Sequence, residues 1–214
     1  MTIQCFWLES TLTARRSLRR YKRDDERCSA QPGYGHQAQA PIDEVPFKIQ
    51  RGDSDVGYNV FDWCGASDVG LFPHGDLRWP KECLCGAAFT DADAWQVFMD
   101  EIYVRTDTGE RIVLRDAPAG AMWDAWWYGD ATFCSFPIEG THLMVRCPGT
   151  ADGKGTADWY VDGRAGNGDR KSRGWQRSGN PKASPPTVTA NPSIQITRTN
   201  GYHGWLRNGQ LVSV

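Results

Sequence analysis

The chain has 214 residues, 40% of them hydrophobic, and a formal net charge of −2 from 24 Lys and Arg against 26 Asp and Glu. That balance excludes a global electrostatic pull toward nucleic acid or an anionic membrane, so any such contact must be local. No run of about 18 apolar residues is present to span a bilayer, and MTIQCFWLES is not a basic stretch followed by a continuous apolar one, so a soluble chain without a signal peptide is expected.

The length suits one core with extensions. Seven cysteines, an odd number without the rhythm of a disulfide framework, fit a reducing compartment with some thiols on metal. Ten tryptophans are many for this length, and most should be anchors of a core or an interface.

Residues 1–46 read as a basic N-terminal segment and an extended arm. Arg15, Arg16, Arg19 and Arg20 lie within TLTARRSLRRYKR. They are candidate phosphate contacts, or else a solvated face balanced by the acids at 24–26. Residues 28–46, rich in Gly, Pro, Gln and Ala, lack apolar periodicity and read as a loop or extended arm. Cys28 and His36 within it are two candidate ligands of a second metal site, two short of a tetrahedron.

Residues 47–90 form a candidate zinc segment. Cys64, His74, Cys83 and Cys85 fall in a Gly- and Pro-rich stretch poor in periodic apolar residues. Three thiols and an imidazole can close a tetrahedral zinc shell, and the metal would replace the missing core. The competing account is reduced cysteines packed as small hydrophobes beside an unrelated histidine.

Residues 91–214 read as a helix plus β-hairpin core. Thr90 and Asp93 have capping-box spacing, and Trp95, Phe98, Met99 and Ile102 recur at i, i+3, i+4 and i+7, which predicts a helix over 91–103. IYVR and RIVLR around the turn at 106–109 predict a hairpin, as do HLMVRCP and DWYVD. Trp123, Asp124, Trp126 and Trp127 cluster as either a loop clamped on the sheet or a ligand platform. Residues 163–192 have the least apolar content and read as a mobile loop. Asn208-Gly209 predicts a closing C-terminal hairpin, with Tyr202 and His203 beside it as further candidate ligand-binding residues. The fold class expected is thus α+β, mainly β: several antiparallel hairpins, one packed helix and a small zinc-stabilised segment.

Several strings, among them CFWLES, SLRRY, DLRWP, CLCGAAF, YVRTDTGE, LRDAPAGAMWDAWW, DWYVDGRA and YHGWLRNGQLV, resemble a family of uncharacterised proteins of tailed bacteriophages and prophages. The resemblance spans nearly the whole chain and implies no established activity. Its recurring ligand-type residues correspond to His74, Cys83 and Cys85. Cys64 has no counterpart, which leaves Cys64, Cys5 and Cys28 all open as fourth ligand.

No Walker loop, GxSxG elbow, HExxH or zinc-deaminase pattern is present. Asp116, Asp124 and Asp162 sit beside aromatics but lack a catalytic pattern, so no catalytic residue is assigned. The expected function is a phage-encoded, zinc-binding accessory or virion-associated protein, in a host cytoplasm or a virion, whose partner is a phage or host protein. The alternative is a phage enzyme or nucleic-acid-binding factor using the Trp, Asp and His-rich surface.

Overall fold

The computed structural model describes residues 1–22, 27–30, 35–46, 76–125, 141–153, 155–162, 176–196 and 200–214, with the Phe98 side chain excepted. Among these residues the regular structure is almost all strand, with a single 3-10 turn, Leu114–Asp116, and no α-helix. No helix among them is long and apolar enough to cross a membrane. The chain forms two compact units. One holds the described residues of Met1–Thr11 and Tyr103–Val214, the other those within 12–49 and 61–102.

The strands, in order, are β1 (Thr2–Gln4), β2 (Phe6–Tyr21), β3 (Gln37–Pro46), β4 (Ala94–Arg105), β5 (Arg111–Val113), β6 (Ala121–Asp124), β7 (Leu143–Pro148), β8 (Thr156–Tyr160), β9 (Gln176–Ser178), β10 (Thr189–Gln195), β11 (His203–Arg207) and β12 (Gln210–Ser213).

In the first unit one sheet has the order β1-β12-β11-β10-β9, with each neighbouring pair antiparallel. A second sheet is built on β2, whose Phe6 and Trp7 pair in parallel with Ala121 and Met122 of β6, and β6, β7 and β8 continue it antiparallel. Because successive side chains alternate between faces, Trp7, Met122, Leu143, Val145 and Trp159 pack in one cluster with Ala190, Ile194, Leu206 and Leu211 of the first sheet and with Val188 just before β10. The intervening Phe6, Leu8, Ala121, Trp123 and Met144 form a second cluster with Tyr103, Ile112 and Ala117. Strand β7 is buried on both faces, which puts Arg146 inside. Its guanidinium is bidentate on Asp158, donates to the carbonyls of Leu114, Arg115 and Ala117 at 2.6, 3.0 and 3.1 Å, and lies 5.2 Å from the Trp123 ring centre.

The predicted hairpins at 102–115, 142–162 and the C-terminus are all present. Asn208 and Gly209 both have positive φ, 46° and 70°, the turn that matches strand twist, and a Cβ on Gly209 would stand 1.9 Å from the Pro186 carbonyl oxygen.

The predicted helix over 91–103 is instead strand β4. The capping hydrogen bond does form, from Thr90 N–H to Asp93 Oδ2 at 2.6 Å, but Asp93 N–H returns to the Thr90 carbonyl and closes a turn. Apolar residues occupy both alternations of AWQVFMDEIYVR, so a helical stripe can be drawn through a segment rich in strand-forming Trp, Val, Phe, Ile and Tyr.

Two expected arms also carry strands. Residues 37–46 are β3, paired with β2 from Tyr21↔Gln37 to Thr13↔Pro46. Its prolines are compatible with a strand that, among the described residues, pairs β2 alone, and a bulge beside Ser17↔Pro41 leaves Ile42 as the extra residue, packed on Leu18 and Trp79. In the expected mobile loop at 163–192, residues 163–175 lie outside the described residues. The remainder is held by β9, the start of β10 and the buried Val188 and Ala190.

Candidate metal centre

In the second unit Cys28, His36, Cys83 and Cys85 converge, each offering one ligand atom, with all four atoms within 4.8 Å of one another. Two small loops deliver them. An antiparallel bridge between Arg27 and Gly35 places Cys28 and His36 at the two ends of the first loop, and Lys22 N–H donates to the His36 carbonyl. The second is a short hairpin closed by the Glu82↔Ala88 bridge and by hydrogen bonds from Phe89 to Lys81 and from Cys83 to Ala87. Cys83 and Cys85 stand on its turn, which Gly86 completes at a φ of +86° that disfavours a side chain.

The Cys28 and Cys83 sulfurs are 3.4 Å apart, and Cys85 Sγ is 3.1 Å from His36 Nδ1. A tetrahedron with zinc–sulfur bonds of about 2.3 Å separates its sulfurs by about 3.8 Å, so the four side chains need little movement to close on one ion. Cys28, His36 and Cys83 are buried and Cys85 is half-buried. Burial pushes the Cys83 thiol up, but hydrogen bonds from the Cys85 backbone, His36 and Cys28 outweigh it and hold it at about 6. A thiol there is largely thiolate at neutral pH, the form a metal binds. By contrast, burial pushes Cys5 up to about 12 in the first unit's core, where it packs with Cys147 as a small hydrophobe.

Two of the four predicted ligands, Cys83 and Cys85, therefore stand in the cluster. Cys64 and His74 lie outside the described residues. Cys28, one of the three residues open as fourth ligand, joins them. His36 does too, so two residues that fell two short of a separate tetrahedron complete this one, and Cys5 is in a different unit.

The other candidate residues do not gather. Trp123 and Tyr202, expected on a ligand-binding surface, are each 1% exposed and belong to two different hydrophobic clusters. Strand β6 turns Trp123 inward, and Tyr202 is buried just ahead of β11. Asp124 accepts from His142 N–H at 2.9 Å, and Asp162 accepts from Leu143 N–H and from Arg177. His203 is exposed beside Ser193 Oγ, with its ring tilted against Trp205. Asp116 is exposed in the 3-10 turn, near Arg115. Trp126 and Trp127 lie outside the described residues.

The arginine run is explained by its neighbours in the sheet. Arg16 is bidentate on Asp43 at 2.7 and 2.5 Å, Arg19 donates to Gln37, and Arg15 faces Glu44 across the strands. Arg20 is buried, donating to the Pro80 and Thr90 carbonyls and lying against Trp79 and Phe89. Of these four candidate phosphate contacts, three thus have protein partners and the fourth is set opposite a carboxylate. Among protein-family models, curated proteins and solved structures, nothing matches the chain.

Proposed function

We propose that Cys28, His36, Cys83 and Cys85 hold one structural zinc ion and that the unit so closed works by binding another protein. The observation that carries the metal reading is the convergence of three cysteines and a histidine from two loops onto one point. Three soft sulfurs and one imidazole suit zinc, and four protein ligands leave no open position for substrate or water, so the ion's role is to hold the fold. Apart from the ligand cluster, the described core of this unit is small: Leu18 and Trp79 with Ile42 and Trp95, Phe89 with Ala38 and Ala87, and the buried Ala14 and Ile102.

The binding role draws on two leucines of the same unit. Leu84, between the ligands Cys83 and Cys85, is 78% exposed, and Leu77, at the turn before them, is 88% exposed. A leucine held in water on a metal-fixed turn is an anchor that a partner's apolar pocket can take up at little ordering cost. Together with the resemblance to phage proteins, these two leucines support reading the chain as a phage accessory or virion-associated protein. Affinity capture from infected cells, run in parallel on the wild type and a Leu77→Ser, Leu84→Ser chain, tests it. A partner retained by the wild type and lost from the variant is expected. Equal recovery by both contradicts it.

A further inference from the structure

Three arginines among the described residues are buried with their guanidinium groups inside. Arg146 is paired with Asp158 and Arg177 with Asp162. Arg20 differs. It is 6% exposed, its Nη1 and Nη2 donate to the carbonyls of Pro80 and Thr90, its Nε has no partner, and among the described residues no carboxylate reaches it. Backbone carbonyls supply dipoles but no charge, and a buried cation without a counter-charge is costly.

The position of Arg20 suggests what supplies the charge. Pro80 and Thr90 flank Lys81 and Phe89, the outer pair of the hairpin that carries Cys83 and Cys85, so the guanidinium grips both ends of that hairpin. The Phe89 ring lies 5.6 Å from the guanidinium carbon and packs in one cluster with Cys28 and Cys83. The Phe89 ring thus neighbours both the cation and the sulfur-bearing cluster. A divalent ion bound by three thiolates and a neutral imidazole carries one net negative charge. We propose that Arg20 is the positioning residue and counter-charge of this metal centre, gripping the ligand hairpin and balancing the thiolate-rich ion through Phe89.

This rests on the metal centre proposed above, and the two fail differently. Zinc affinity is measured by competition with a chromophoric chelator for the wild type, Arg20→Lys and Arg20→Gln, each with and without Cys85→His, which makes the centre neutral. Outer-shell partners typically alter metal affinity by about 10- to 100-fold. Arg20→Gln, which keeps donors but not charge, is expected to bind zinc about tenfold more weakly, while Arg20→Lys stays within about threefold of the wild type. In the Cys85→His background the Arg20→Gln loss is expected to shrink to about threefold or less, a change that a purely mechanical grip would not produce. Should Arg20→Gln not fold, Arg20→Met replaces it; lacking donors as well as charge, it is expected to lose at least as much affinity, and more of it in the wild-type than in the Cys85→His background. Equal affinity for Gln and wild type, equal loss for Gln and Lys, or the same loss in both backgrounds overturns the role of Arg20 and leaves the metal centre standing. A wild-type chain that takes up no zinc overturns both.

Discussion

Arg177 and Asp162 meet at 2.7 Å with side chains 2% and 0% exposed, and Asp162 also accepts the Leu143 N–H at 2.7 Å. Removing one partner leaves a buried charge unpaired, so Arg177→Met should destabilise the first unit by about 3 to 5 kcal/mol in urea unfolding. Asp43 is the opposite case. The hydrogen bond from Arg16 holds its carboxyl below the usual value, but its side chain is 42% exposed, so Asp43→Asn should cost less than about 1 kcal/mol. Because the folded-state pKa is depressed, this contribution is present above the ordinary carboxylate range and disappears as pH falls through the folded value. The urea midpoints of Asp43→Asn and wild type should therefore differ at pH 7 and converge in acid. Of the ligands, Cys83 and Cys85 were legible from their Cys-x-Cys spacing. Cys28 was open as a fourth ligand, but His36 was set aside because two ligands do not close a tetrahedron, and nothing local in residues 28–36 points to a hairpin some fifty positions on.

Among the elements, hairpins were the most readable because their turns carry local chemistry, as at Asn208-Gly209. Strand β4 was misread because a capping turn precedes a segment apolar on both alternations, and neighbouring strands decided between the two periods. Strand β3 was invisible as a strand because its pairing is by backbone, with side chains mostly half-exposed. Strand β2 passes from one unit to the other at Leu12, which has φ 53° and is 54% exposed. A β-branched residue is strongly disfavoured there whereas Asn tolerates the left-handed region. Leu12→Val should lower the melting temperature and Leu12→Asn should hold or raise it, a shift of about 1 kcal/mol between the two in matched unfolding curves.

At the scale of the whole molecule, the two units depend on different interactions. The first has two large apolar clusters and two buried, carboxylate-paired arginines. Among its described residues the second has smaller clusters and the four-ligand site, where structural zinc can contribute on the order of 10 kcal/mol. Chelation should therefore speed hydrogen exchange at 35–46 and 76–90 while amides of β7, β8 and β11 stay protected. Exchange that rises equally in both sets would go against this division. The most direct measurement is metal content by elemental analysis of the purified wild type, Cys28→Ser, His36→Ala, Cys64→Ser and His74→Ala chains. The account predicts about one zinc per chain in the wild type and in the last two variants, and its loss in Cys28→Ser and His36→Ala. A metal-free wild type, or zinc lost with Cys64 or His74 and kept without Cys28 or His36, would contradict it.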